Sequence, residues 1–148
     1  MDVYVVIGNP NTRKSSLVRS LTGCFNRSLR DIQPVGGKAA LRLYARVGCL
    51  QDTRTTPEAF LAEVQATRCT AALCCLAPNA RSTEASPYPD APAYLAEFKA
   101  AGWRVKAIAV LGQNGGSVRS PVLRQFPLAT TTPINLTAHA VRAHFGWE

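Results

Sequence analysis

Apolar positions along the chain fall into two rhythms. Val3–Ile7, Thr70–Leu76 and Arg104–Leu111 are short stretches dominated by β-branched and other apolar residues, the composition of strands covered on both faces. Between them the apolar residues recur at helical spacing: Leu17, Val18 and Leu21; Phe60, Leu61 and Val64; Tyr94, Leu95 and Phe98; Ala138, Val141 and Phe145.

Punctuation residues set the boundaries. A helix from about Lys14 to Leu21 meets Gly23 where a C′ glycine belongs. Thr56-Pro57-Glu58 opens the next helix, with threonine at N-cap, proline at N1 and an acid in the first turn. The third helix stops at Gly102, and the last opens at Leu136-Thr137 and closes on Gly146-Trp147. Ser28–Val35 and Lys38–Val47 read as extended runs joined at Gly36-Gly37, a hairpin signal. Asn79–Pro92, rich in Ser, Pro and small residues and holding Tyr88 and Asp90, reads as an exposed loop. Val118–Phe126 is expected as a short helix interrupted by Pro121, and Pro127–Thr131 as a last edge strand. Alternating buried strands and amphipathic helices predict one α/β domain over residues 1–148, with right-handed crossovers.

One junction carries candidate chemistry. The strand Val3–Ile7 ends at Gly8, a polar loop Asn9-Pro10-Asn11-Thr12-Arg13 follows, and Lys14-Ser15 opens the helix. This is the layout of a phosphate-binding loop, G-x-x-x-x-G-K-[ST], except that position 13 is arginine rather than the second glycine. Gly8 lets the chain leave the strand without a Cβ in the way. Backbone N–H groups around residues 13–15 belong to a helix N-terminus, which attracts anions. The phosphate-binding candidates are Gly8, Asn11, Thr12, Arg13, Lys14, Ser15 and Ser16. Lys14 is expected to reach the outer phosphates, and the Ser15 hydroxyl to ligate Mg²⁺ if that ion is bound. An arginine forced into the left-handed region costs roughly 1–2 kcal/mol, which a domain tolerates more easily than phosphate affinity does. Its side chain either blocks the anion site, fills it, or supplies a phosphate-binding charge.

From Gly8 through Gly23 the sequence resembles the first nucleotide motif of P-loop GTPases, including bacterial ones such as the GTPase domain of the ferrous iron transporter, with Leu17, Leu21 and the closing Thr22-Gly23 in place. The resemblance implies a three-layer P-loop NTPase-like fold: a mostly parallel six-stranded sheet with one antiparallel edge strand. It also implies Mg²⁺ with GTP or ATP as ligands. The family's other motifs are missing. No threonine stands in Cys24–Ser28 for the magnesium-binding switch. Where the family has D-x-x-G the chain has Ala45-Arg46-Val47-Gly48, and Asp52 is the only carboxylate nearby. Gly112-Gln113-Asn114-Gly115-Gly116 has neither the lysine nor the base-reading aspartate of N-K-x-D.

The formal net charge of +8 favours an anionic partner, but the arginines are dispersed and read mainly as solvated surface. Cys74 and Cys75 sit inside an apolar run as small hydrophobes. The absence of a C-x-x-C pair, a signal peptide or a membrane-length apolar stretch leads to the expectation of a reduced, cytoplasmic setting. His139 and His144 are not at the spacing of a helical metal pair. Three functional readings follow. The first is a degenerate P-loop binding or regulatory module with weak or no nucleotide binding, serving a phosphorylated ligand or a protein partner. The second is an active NTPase with atypical catalytic residues. The third, resting on charge alone, is a nucleic-acid-binding domain.

Overall fold

The computed structural model describes residues 1–9, 12–22, 28–32, 41–78, 88–116 and 118–147. In chain order the elements are β1 (Asp2–Gly8), α1 (Lys14–Thr22), β2 (Ser28–Ile32), β3 (Leu41–Cys49), α2 (Pro57–Gln65), β4 (Ala71–Leu76), α3 (Ala91–Ala100), β5 (Arg104–Leu111), β6 (Leu123–Phe126) and α4 (Ile134–Phe145). Five strands form an all-parallel sheet in the order β3-β4-β1-β5-β6. Outside β3, β2 runs antiparallel, with Ser28 opposite Ala45 and Ile32 opposite Leu41. The Gly36-Gly37 joint and the Gly23 stop signal lie outside the described residues.

The period-2 alternation of each central strand divides its side chains between two cores. Tyr4 and Val6 of β1, Leu73 and Cys75 of β4, and Ala109 and Leu111 of β5 face α1 and α4. Val3, Val5 and Ile7, with Cys74, Leu76 and Val110, face α2 and α3. Both faces are therefore covered, which explains why the central strands read as unbroken apolar runs. Aromatic rings close each core. Tyr4 meets Phe145 and Trp147 at 5.2 and 5.1 Å on one side, and Phe60 and Trp103 flank Phe98 at 5.8 and 5.4 Å on the other.

The caps follow the sequence signals. Thr56 accepts from the Ala59 N–H at 3.0 Å with Pro57 at N1. Gly146 adopts φ 76°, and the Trp147 N–H returns to the Arg142 carbonyl at 3.0 Å. Asp90, expected in an open loop, is instead the N-cap of α3, accepting from the Ala93 N–H at 3.2 Å.

The expectation for residues 118–131 is overturned. Leu123–Phe126 is a strand, parallel to β5 and in register from Ile108–Leu123 to Leu111–Phe126, and the residues before it form no helix. Pro121 interrupts any helical ladder, and the open side of β5 offers these residues a backbone partner instead. Pro127–Thr132 is a turn, not a strand: the Ala129 N–H bonds the Phe126 carbonyl, and the Thr131 and Thr132 N–H groups both bond Leu128. The last helix then starts two residues earlier than Leu136, at Ile134.

Candidate functional site

The parallel strands end together at one edge of the sheet, and β1 is central. After β1 the chain turns to α1 on one face; after β4 it continues to α3 on the other. A divergence between neighbouring strands of this kind opens a crevice at their carboxyl ends, the usual ligand position in open α/β sheets. The Gly8–Ser15 loop lies there.

Within the loop, Thr12 is buried and its hydroxyl donates to the Asn9 carbonyl at 2.7 Å. The close approach explains Gly8: a Cβ there would stand 2.3 Å from the Thr12 Oγ1 and 3.2 Å from the Leu111 carbonyl oxygen. Arg13 has φ 70°, the left-handed conformation anticipated for this position. Its carbonyl accepts the first helical bond, from the Leu17 N–H at 2.9 Å. Arginine has taken the backbone shape that glycine would supply more easily.

The two cationic side chains go elsewhere than expected. The Arg13 guanidinium leaves the loop and donates to the Thr132 carbonyl at 2.8 Å, in the turn between β6 and α4. It does not fill the space inside the loop. Lys14 turns inward instead: its ammonium, on a residue only 8% exposed, donates to the Gly8 and Asn9 carbonyls at 2.6 and 2.9 Å. The long methylene stem allows this by lying along the apolar end of β1. Ser15 Oγ donates to the Val47 carbonyl of β3 at 3.3 Å, and Ser16 is exposed. Asn11 lies outside the described residues.

Neighbouring loops support this arrangement through residues that carry no motif. Asn114 donates from Nδ2 to the Asn9 side-chain oxygen at 3.1 Å and accepts from the Gly116 N–H at 2.9 Å, pinning the glycine-rich turn after β5 against the loop after β1. At the position of the missing D-x-x-G, Arg46 is not solvated surface. It forks onto Glu63 at 2.8 and 3.0 Å and onto the Thr53 and Thr55 hydroxyls at 2.7 and 2.9 Å, while the Tyr44 hydroxyl also bonds Glu63. Gln51 is buried with both ends of its amide occupied: Nε2 donates to the Ala77 and Pro89 carbonyls, and Oε1 accepts from the Ala77 N–H. These residues fix the ends of β3 and β4 and hold no group toward a ligand. Spacing in the sequence gave no sign of them, because Arg46 and Glu63 meet only when α2 packs beside β3.

The Mg²⁺ expectation can be weighed on donor chemistry. Ser15 offers one hydroxyl, position 45 is alanine, and Asp52 is exposed in the turn after β3. Among the described residues, no group of three or more His, Cys, Asp or Glu side chains could hold a metal. A hard divalent cation prefers several oxygen donors, so the described residues do not make a site for it by themselves. His144 is likewise structural, its Nε2 lying 3.0 and 2.9 Å from the Ile108 and Val122 carbonyls.

Cys74 and Cys75 are buried and free, and burial raises both thiols, Cys75 to about 12. No helix among the described residues is long and apolar enough to cross a membrane. Compared with models of known protein families, with curated proteins and with solved structures, the chain matches none.

Proposed function

We propose that this chain is a degenerate P-loop protein of GTPase-like type, a binding or regulatory module in which phosphate affinity is weak and hydrolysis is negligible. The observation that carries this reading is the disposition of Arg13 and Lys14. An anion entering the loop must compete with the Gly8 and Asn9 carbonyls for the Lys14 ammonium. Arg13 spends its guanidinium on Thr132 and starts from a Cβ where the phosphate-loop motif has none. The strand–loop–helix placement at the carboxyl ends of a parallel sheet supports an ancestral phosphate site. An active NTPase ranks second, because phosphoryl transfer depends on a metal-held, positioned phosphate and the described residues do not make a site for the metal by themselves. Nucleic-acid binding ranks third. The buried free thiols suit a reducing, cytoplasmic setting.

Titration with fluorescent GTP and ATP in the presence of Mg²⁺ tests the proposal. Wild type should bind both weakly, and low-micromolar affinity for either overturns the reading. Arg13→Gly should tighten binding about tenfold, equivalent to about 1.4 kcal/mol, while Arg13→Gly/Lys14→Ala should lose the gain. Hydrolysis should stay low in all three proteins. If wild type binds well and Arg13→Gly weakens it, Arg13 is a phosphate ligand and the NTPase reading takes first place.

A further inference from the structure

A groove of about 260 Å³ runs between β6 and the first turns of α4, two strands along the sheet from β1. Phe126, Leu128, Leu136 and Ala140 give it an apolar floor and rim. Leu128 and Leu136 are 69% and 56% exposed, and with Met1 they are the large hydrophobic residues most open to solvent among those described. β6 is the outer strand on this side, with β5 as its neighbour. Two exposed leucines thus share one groove beside the outer strand of the described sheet.

The charge around the groove is one-sided. Arg124 lines it, with its guanidinium 5.1 Å from the centre of the Phe126 ring. Thr132, at the other end, holds the Arg13 guanidinium on its carbonyl. The N-terminus of α4 opens on Pro133, which provides no side-chain cap, and the first turn contains no acid. None of the lining residues is acidic, and from Phe98 to Trp147 the sequence has no aspartate or glutamate at all.

We infer that this groove docks an acidic peptide segment of a protein partner, with one apolar side chain seated between Leu128 and Leu136. Carboxylates beside that anchor would face Arg124 and the positive end of α4, and the peptide backbone would run along the free edge of β6. A second copy seated face to face would bring the same lining, with Arg124 and no carboxylate, so an acidic peptide fits the groove's charge better than self-association. The inference does not require phosphate binding, and because the two sites touch at the Arg13–Thr132 bond, Arg13 is left unchanged in its test.

The test is selection of randomised short peptides displayed on phage against the full chain, followed by affinity measurement on the best synthesised sequence. Enriched peptides should place two or more Asp or Glu residues next to a Leu, Ile, Phe or Trp. Affinity should fall roughly tenfold with Leu128→Asp and with Leu136→Asp, the scale of a lost interface anchor. It should also fall with Arg124→Ala and with rising salt. Lys99→Ala, in the separate groove by Pro92 and Leu95, should leave it unchanged. Both leucines are exposed, so their variants should keep the wild-type melting temperature. Failure to enrich acidic-apolar sequences, or affinity indifferent to Leu128 and Leu136, overturns the proposal. So does a dimer that Leu128→Asp dissolves, which would give the face to a second copy. Tighter binding of single-stranded poly(U) that needs Arg124 but not Leu128 overturns it in favour of RNA.

Discussion

Two loops at the same edge of the sheet handle positive charge in opposite ways. The loop after β1 turns its cations onto carbonyl oxygens: Lys14 to Gly8 and Asn9, and Arg13 to Thr132. The loop after β3 sits above the Arg46–Glu63 pair, whose side chains are only 12% and 17% exposed. A carbonyl satisfies an N–H but does not cancel its charge, whereas a carboxylate does both. The first arrangement satisfies the N–H groups on backbone oxygens. The second is a closed structural clasp. Each loop also puts an arginine in the left-handed region, Arg13 at φ 70° and Arg54 at φ 55°. Only Arg13 is tied to a distant carbonyl; Arg54 is exposed. The difference teaches that one loop can neutralise a buried cation on a carboxylate while its neighbour satisfies its cations on backbone carbonyls.

The largest expected effect breaks the clasp. Glu63→Ala leaves the mostly buried Arg46 guanidinium without its carboxylate and removes an acceptor from Tyr44. Breaking a fully buried pair costs about 3–5 kcal/mol; solvent at this site reduces that to roughly 2 kcal/mol. The thermal midpoint should fall by about 4–8 °C. An unchanged midpoint would show that the clasp is held by the threonine hydroxyls alone.

A smaller effect sharpens the contrast between the two arginines. Arg54→Gly relieves left-handed strain and should stabilise by about 1 kcal/mol. Arg13→Gly relieves the same strain but loses the bond to Thr132, itself about 1 kcal/mol, so its midpoint should hardly move. Parallel melting curves of the two variants decide this, and an equal gain in both would mean that the Arg13–Thr132 contact contributes nothing.

A pH-dependent effect concerns the wall between the loops, where β4 separates β1 from β3. Cys75 lies there, paired in register with Cys49. Burial lifts its thiol from about 9 to about 12, and Tyr94 is raised as well. Above pH 9 the unfolded chain releases these protons and the native state holds them, so stability falls as pH rises. Midpoints should be flat below pH 9 and decline steadily toward pH 12, with a shallower decline in Cys75→Ala. At pH 8, iodoacetamide should leave Cys74 and Cys75 unmodified in the native protein.

The elements that the sequence described best are those whose cause is local or periodic. Val3–Ile7 and Arg104–Leu111 have apolar runs that only a doubly covered strand requires, and Thr56-Pro57 carries its own cap. The candidate loop was legible for the same reason: Gly8, Lys14 and Ser15 keep a fixed spacing, and the positive φ of Arg13 follows from what a glycine does at that position. Tertiary structure decided the rest. The Leu123–Phe126 segment is a strand because β5 has an open edge beside it, a fact of sheet order that no window of residues contains. The destinations of the Arg13 guanidinium and of Arg46 were also set by packing. Thr132 is 119 residues from Arg13, and Glu63 is 17 from Arg46, and side chains on long flexible stems take whichever acceptor the assembled fold brings within reach. Periodicity and turn chemistry act along the chain, so sequence alone determined the layers and the loop; hydrogen-bond partners act across it, so only the fold determined where the charges rest.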